Sequence, residues 1–335
     1  MPSLKSPHQT ITPKHLIYSI LAIVFSLVLN GCDSNKPQTE RSYKIGIIHS
    51  GKRFAPFIEE FKQEMGKHGY KEGQNTTFIY DGPTSADQVI KRLKFLKKQD
   101  LDLLYTITTP VTAKARRIFS KTGTPIVFGP VFSPIEAGIT DSLTRPNKNM
   151  TGVMIRGCVP KAFGLLKETM PSLKNISAPF PAEEKAARLS LKDLQDNTEK
   201  FEVKVSPVKI QSKADLENYL RHIPNEADVI WALHSPFIMN NFDIIIAAAN
   251  AKKIPVASAT LKLNNGILIS YGPEMNSIIK QVARLADKRI QGIPAEKLPI
   301  EHCEYRLAID LKTANHLGIK IPDNVLRQAE LIHRN

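Results

Sequence analysis

From Tyr43 onward the chain alternates short apolar runs with longer segments of helical period, and that alternation leaves few architectures open. The first run, Tyr43–His49 (YKIGIIH), stops at Ser50-Gly51. A short continuous apolar run bounded by turn residues fits a strand buried on both faces, as in a parallel sheet covered by helices. Residues 54–68 follow with Phe57, Phe61 and Met65 at a spacing of four, one face of a helix. Pro56 suits its first turn and Gly69 its C-terminal cap. Strand patterns at 76–80, 101–107 and 125–129 are separated by helical ones at 85–98, with Val89, Leu93 and Leu96 inward, and at 111–119. The second half repeats the theme, with helices at 183–200, 213–223, 237–251 and 274–291 and strands at 202–210, 228–233, 255–259 and 267–271. No tandem repeat of fixed period is visible, only two similar α/β halves. The fold class expected is therefore α/β, two lobes each with a parallel sheet flanked by helices. A cleft between the carboxyl ends of both sheets is where such sheets bind ligands. Size agrees, because 335 residues exceed the roughly 250–300 at which single cores stop growing.

The N-terminus sets the expected compartment. Lys5 and Lys14 form a basic region ahead of a 14-residue apolar run, LIYSILAIVFSLVL. That run is short for a membrane span, which needs about 20 residues, and right for a signal peptide. It ends in Leu29-Asn30-Gly31-Cys32, which resembles a lipobox, the site where bacterial signal peptidase II cuts before a lipidated cysteine. The alternative is an uncleaved anchor with an incidental cysteine. Residues 1–31 are read as a lipoprotein signal peptide, Cys32 as the lipidation site, and 32–42 as a flexible tether. The expected location is the cell envelope, lipid-anchored. In a Gram-negative organism Asp33 resembles the signal that holds lipoproteins at the periplasmic face of the inner membrane.

The formal charge of +14 would suggest nucleic acid inside a cell, and an exported address removes that reading. The basic clusters at Lys91, Arg92, Lys94, Lys97, Lys98 and at Lys114, Arg116, Arg117 fall on helices and read as solvated faces, with a docking surface for a permease or membrane as the alternative. Nine scattered histidines give no pair at metal-binding spacing, so neither metal nor cofactor is expected. Gly46-Ile-Ile-His-Ser-Gly-Lys52 has phosphate-loop spacing, but Arg53 stands where the magnesium-binding hydroxyl belongs, and the segment reads better as strand. No Gly-x-Ser-x-Gly or His-Glu-x-x-His occurs, so an enzyme is not expected. Cys158 and Cys303 are either a disulfide, which an oxidising compartment permits, or two buried free thiols.

At Asn149-Met-Thr-Gly152 the chain begins to resemble the ABC transporter substrate-binding proteins of periplasmic-binding type I fold, which include tryptophan- and tyrosine-binding lipoproteins. The matching pieces run in order: Lys44-Ile-Gly-Ile-Ile, His68-Gly-Tyr-Lys-Glu-Gly-Gln-Asn75, Thr109-Pro110, Thr124-Pro-Ile-Val-Phe128, Ser133-Pro-Ile-Glu-Ala-Gly138, Ser270-Tyr-Gly-Pro273, Leu307-Ala-Ile-Asp-Leu-Lys-Thr-Ala314 and Leu317-Gly-Ile-Lys-Ile-Pro322. The resemblance implies a clamshell whose hinge strands cross between lobes, with lobe 1 at 43–150 plus 273–294 and lobe 2 at 151–272 plus 295–335. It further implies a monomer that captures a small solute, such as an amino acid, for an ABC permease and its ATPase. A ligand-sensing module for a membrane receptor is the alternative, and a periplasmic hydrolase a third.

Candidate ligand-binding residues sit at strand ends facing the expected cleft. His49 and Ser50 follow the first strand. Thr108 and Thr109 precede a helix, whose free N–H groups favour a carboxylate, although Thr109 could equally be a plain N-cap. Phe132 and Ser133 follow the fourth strand, and members of the resembling family usually carry an aspartate where Ser133 stands. Glu136 is near enough to compensate, or is simply a solvated loop residue. His234 and Ser235 end a lobe 2 strand, and Tyr271 lies by a hinge crossing. Trp231, the single tryptophan, is mid-strand and reads as core. Pro179 and Pro181 in Asn175–Pro181 disfavour a central strand, so a shortened first strand is expected in lobe 2.

Overall fold

A computed structural model of the chain describes residues 41–146, 149–262 and 266–334. The leader, Cys32 and most of the tether lie outside them. The first sheet is built from β1 (Tyr43–His49), β2 (Thr76–Ile79), β3 (Leu103–Ile107), β4 (Ile126–Val131), β5 (Met150–Met154) and β11 (Glu301–His302), in the order β11-β5-β4-β3-β1-β2. Every pairing in it is parallel. The apolar runs are continuous because both faces are covered. Ile45, Ile47, Leu103 and Tyr105 pack to one side, with Phe61 and Met65 of α1 (Pro56–Lys67) and Ile278 and Val282 of α9 (Met275–Ile290). Ile48 and Leu104 pack to the other, with Leu93 and Leu96 of α2 (Val89–Lys97) and Val111 of α3 (Thr109–Ile118).

The second sheet holds β6 (Asn175–Pro181), β7 (Lys204–Ile210), β8 (Val229–Ala232), β9 (Val256–Ser258), β10 (Ile269–Pro273), β12 (Tyr305–Asp310) and β13 (Leu331–His333), in the order β13-β12-β10-β9-β8-β6-β7. Only β10 with β12 is antiparallel among its described pairs. Helices α4 (Val159–Thr169) and α5 (Lys185–Thr198) cover one face, and α6 (Lys213–Arg221) and α8 (Phe242–Ala251) the other. Trp231 is fully buried in the first of these layers, as its mid-strand position suggests.

Three connections cross between the sheets, after β5, after β10 and after β11. The first-sheet strands therefore take in 151–154 and 301–302, which the expected borders place in lobe 2. The first crossing follows β5 instead of preceding it. Two glycines make close approaches possible here. A Cβ on Gly152 would lie 2.1 Å from the Phe128 carbonyl oxygen, and one on Gly272 would lie 2.2 Å from the Leu261 nitrogen. Tyr305 ties two crossings together, its hydroxyl donating to the Arg156 carbonyl at 3.0 Å and its ring stacking on Tyr271.

Two expectations are corrected. The helix expected at 237–251 is broken at Asn241 into α7 (Pro236–Asn240) and α8. The strand expected to be shortened by proline, β6, runs its full seven residues and pairs β7 along all of them. Parity explains it. The Asn175 carbonyl accepts from Asp228 on the β8 side, and the Lys174 carbonyl accepts from Lys204 on the β7 side. Odd-numbered residues thus direct their backbone polar groups toward β8, so Pro179 and Pro181 lack N–H groups only on that side. The β8 pairing has already ended at Ser177, so no ladder bond is lost.

Candidate functional site

Both sheets share one ordering, and it fixes where ligand-contacting loops lie. In the first, the chain reverses direction across the sheet between β1 and β3, and in the second between β6 and β8. Loops leaving the carboxyl ends at such a switch point diverge and leave a crevice. Here the two crevices face each other. They enclose a cavity of about 670 Å³, lined by Arg53, Phe54 and Phe57 after β1, Thr108 and Thr109 after β3, Glu183 and Glu184 after β6, and His234 after β8. The volume falls in the range of small-molecule sites.

The lobe 1 wall is set by α3. Its N-cap is Thr108, held at φ 80°, an unusual conformation for a β-branched residue. Thr108 makes no side-chain cap bond. The Thr109 hydroxyl instead accepts from the Phe132 N–H at 3.0 Å, tying the β4 loop to the helix. Thr109 is therefore not the plain N-cap, and no N-cap side chain bonds the first turn, in which Pro110 has no N–H and Thr109 and Val111 do. Ser50 Oγ approaches Thr108 Oγ1 at 3.4 Å, which joins the loops after β1 and β3. Arg53 lies over the Phe54 ring at 4.7 Å. Burial works against its charge, and Glu184 across the cleft partly offsets this.

The lobe 2 wall is set by the starts of α5 and α7. Glu184 precedes α5 but its side chain makes no cap bond there; it reaches the start of α7 instead, its Oε2 accepting from Ser235 Oγ at 2.6 Å and its Oε1 from the Phe237 N–H at 3.2 Å. Ser235 Oγ also accepts from Ile238, so this serine is a buried helix cap. The His234 backbone N–H donates to Ser190 Oγ at 3.2 Å, and its Nδ1 lies 3.4 Å from Thr260 Oγ1. Burial first, and then the Arg53 charge, push its imidazole down to about 4, so it is neutral at ordinary pH.

The lobes meet through specific contacts. The Phe132 ring of lobe 1 stacks on the His234 ring of lobe 2 at 4.7 Å, and Arg53 donates to Met239 Sδ at 3.6 Å. Below the cavity, Arg156 forms a forked pair with Asp193 of α5, at 2.9 and 2.6 Å, and also bonds the Glu136 carboxylate. Ser133 Oγ donates to Glu136, and Lys185 donates to the Glu136 carbonyl. Burial disfavours the Glu136 charge, but the bonds from Ser133 and the backbone and the Arg156 charge outweigh it and hold its pKa below the usual range. Glu136 thus serves as a clasp between lobes, neither a ligand acceptor in place of the absent aspartate nor a merely solvated residue.

Of the residues singled out in the sequence, Thr108, Thr109, Phe132, Ser133 and His234 line the cavity. Four do not. His49 is fully buried, stacked on Tyr80 with Nε2 2.8 Å from its hydroxyl. Ser50 and Ser235 are held as above, and Tyr271 belongs to the hinge stack. Arg53, Phe57, Glu184 and Met239 were missed. The signal for Glu184 was the loop after β6, hidden once the prolines were read against that strand. Cys158 and Cys303 are both free and buried, and burial pushes each thiol up to about 12. Among the described residues no group of three or more metal-ligating side chains comes together.

Two parallel-dominated α/β lobes with a cavity at their facing switch points define a binding protein of the periplasmic-binding type I fold. The chain belongs to the ABC transporter substrate binding protein family, whose model matches residues 50–332. It is similar to a tyrosine-binding protein of Clostridioides difficile, 25% identical over 311 residues that cover 87% of this chain and 88% of the relative. Its fold is similar to that of a conserved domain protein from Vibrio cholerae, with TM-score 0.76, 24% identity and coverage of 88% of this chain and 100% of that one. It is likewise similar to an ABC domain from Streptococcus pneumonia in complex with L-Trp, with TM-score 0.77, 21% identity and coverage of 87% and 99%.

Proposed function

We propose that the protein captures a small solute with an apolar body and a carboxylate, the class that includes aromatic amino acids, and presents it to an ABC permease for import. The cavity between the lobes carries this reading. Phe54, Phe57, Leu189 and Met275 offer an apolar surface, and the uncapped start of α3 offers N–H groups and a partial positive charge suited to a carboxylate. The tyrosine-binding relative and the L-Trp complex support the same ligand class. Ligand would act by higher affinity for the closed arrangement, raising its population without chemistry. Under this reading Cys32 carries the lipid anchor at the outer face of the cytoplasmic membrane.

Thermal unfolding of ligand-stripped protein against amino acids, aromatic carboxylates, nucleosides and sugars tests the proposal. A ligand at 100 times its Kd adds about 2.7 kcal/mol, several degrees for most domains. A shift confined to aromatic amino acids and carboxylates is expected. A shift with sugars or nucleosides alone would replace the ligand class.

A further inference from the structure

The charged groups around the cavity are not balanced in what they leave available. Arg53 lines the cavity, yet among the described residues it forms no ion pair within bonding distance. Its described hydrogen bond goes to a thioether, Met239 Sδ at 3.6 Å, a weak acceptor for a guanidinium. The carboxylate facing it, Glu184, is engaged on both oxygens by Ser235 and the Phe237 N–H. Glu136, beside the cavity lining, is bonded by Arg156 and Ser133. Glu183 lies at the exposed rim, where an ammonium paired with it would stay hydrated and gain little. The interior therefore offers a cation whose donors lack a carboxylate, and no unengaged carboxylate for a second cation.

We propose that Arg53 is a carboxylate anchor, and that the cleft takes a net-anionic solute with an apolar body in preference to the zwitterion of the same shape. Contacts already described give the anchor its surroundings. Arg53 reaches Met239 across the cleft, His234 stacks on Phe132, and Phe132 is tied to Thr109 at the start of α3. A carboxylate there would gain charge-assisted bonds from a guanidinium already partly removed from water, where such bonds are strongest. An α-ammonium on the same solute would be desolvated without a partner. The inference rests on the reading of the cleft as a solute site and narrows its ligand class.

Calorimetric titration of the ligand-stripped protein with phenylpropionate, L-phenylalanine and phenylpropionamide separates the possibilities. Phenylpropionate is expected to bind at least about tenfold tighter than L-phenylalanine. Arg53→Met should weaken phenylpropionate by roughly thirtyfold while leaving the uncharged amide unchanged, and Arg53→Lys should recover part of the loss. Tighter binding of L-phenylalanine than of phenylpropionate, or equal loss of acid and amide in Arg53→Met, overturns the anchor while leaving solute capture standing. Absence of binding by all three overturns both.

Discussion

The ring of Phe132 lies flat against the imidazole of His234, with centroids 4.7 Å apart and planes 7° from parallel. One residue belongs to each lobe, so the stack exists only while the lobes are together. Because burial and Arg53 hold His234 neutral, with its pKa down at about 4, the chain unfolded at pH 5 binds a proton there that the folded chain does not. Stability from this group is therefore complete above about pH 6.5 and lost as pH falls toward 4, at most about 3 kcal/mol. The unfolding temperature, followed between pH 7 and 4.5, should drop more in the wild type than in His234→Phe, which keeps an aromatic ring but cannot titrate. Equal slopes would contradict the assignment.

Glu136 joins the lobes through Arg156 and Lys185. Its carboxylate is partly exposed, so the pair contributes modestly to stability, about 1 kcal/mol or less. Its main effect should be on closure. Glu136→Gln should weaken ligand binding about three- to tenfold with an unchanged unfolding temperature, as read by calorimetry and thermal melts. A large loss of stability would mean the residue serves the lobe 1 fold instead.

Thr109 accepts from the Phe132 N–H and so sets the β4 loop against α3. Thr109→Val keeps the volume and removes the acceptor, which should cost about 1–2 kcal/mol in unfolding free energy by denaturant titration. Thr108 is different. It stands at φ 80°, so Thr108→Gly should be neutral or mildly stabilising, since the strain relieved offsets the added chain entropy.

Burial and raised pKa values make Cys158 and Cys303 poor nucleophiles in the folded protein. A disulfide-exchanging thiol reagent at pH 8 should find neither until the protein is unfolded. In denaturant it should find two thiols where the Cys32 sulfur carries diacylglycerol and three where it does not, from the three cysteines of the chain. Prompt labelling of Cys158 or Cys303 in the folded protein would contradict the burial.

Much of the fold was legible because both sheets are covered on both faces, which prints the strands as apolar blocks. Tyr43–His49 is a strand to the residue expected, and Val89, Leu93 and Leu96 point inward as their spacing indicates. Prolines misled where direction mattered. Whether Pro179 removes a ladder bond depends on which neighbour its nitrogen faces, and that is a property of register between strands 53 residues apart in the chain. The same misreading hid Glu184. Strand-end position found Thr108, Thr109, Phe132, Ser133 and His234 but could not separate them from His49, which turns to Tyr80. Arg53 was read only against a phosphate-loop pattern that it fails. Its place in the cleft depends on the short turn Lys52–Phe54, which carries it past the strand end.

Capture of a solute between the lobes is tested most directly by titrating ligand-stripped protein with L-tyrosine, L-tryptophan and their deaminated carboxylates, alongside Ala186→Trp, which fills the cavity from lobe 2. Cleft binding predicts one site per chain for at least one of these compounds, lost in Ala186→Trp while the variant still unfolds cooperatively. Unaltered binding in the filled variant, or no heat with any compound in the wild type, would contradict it.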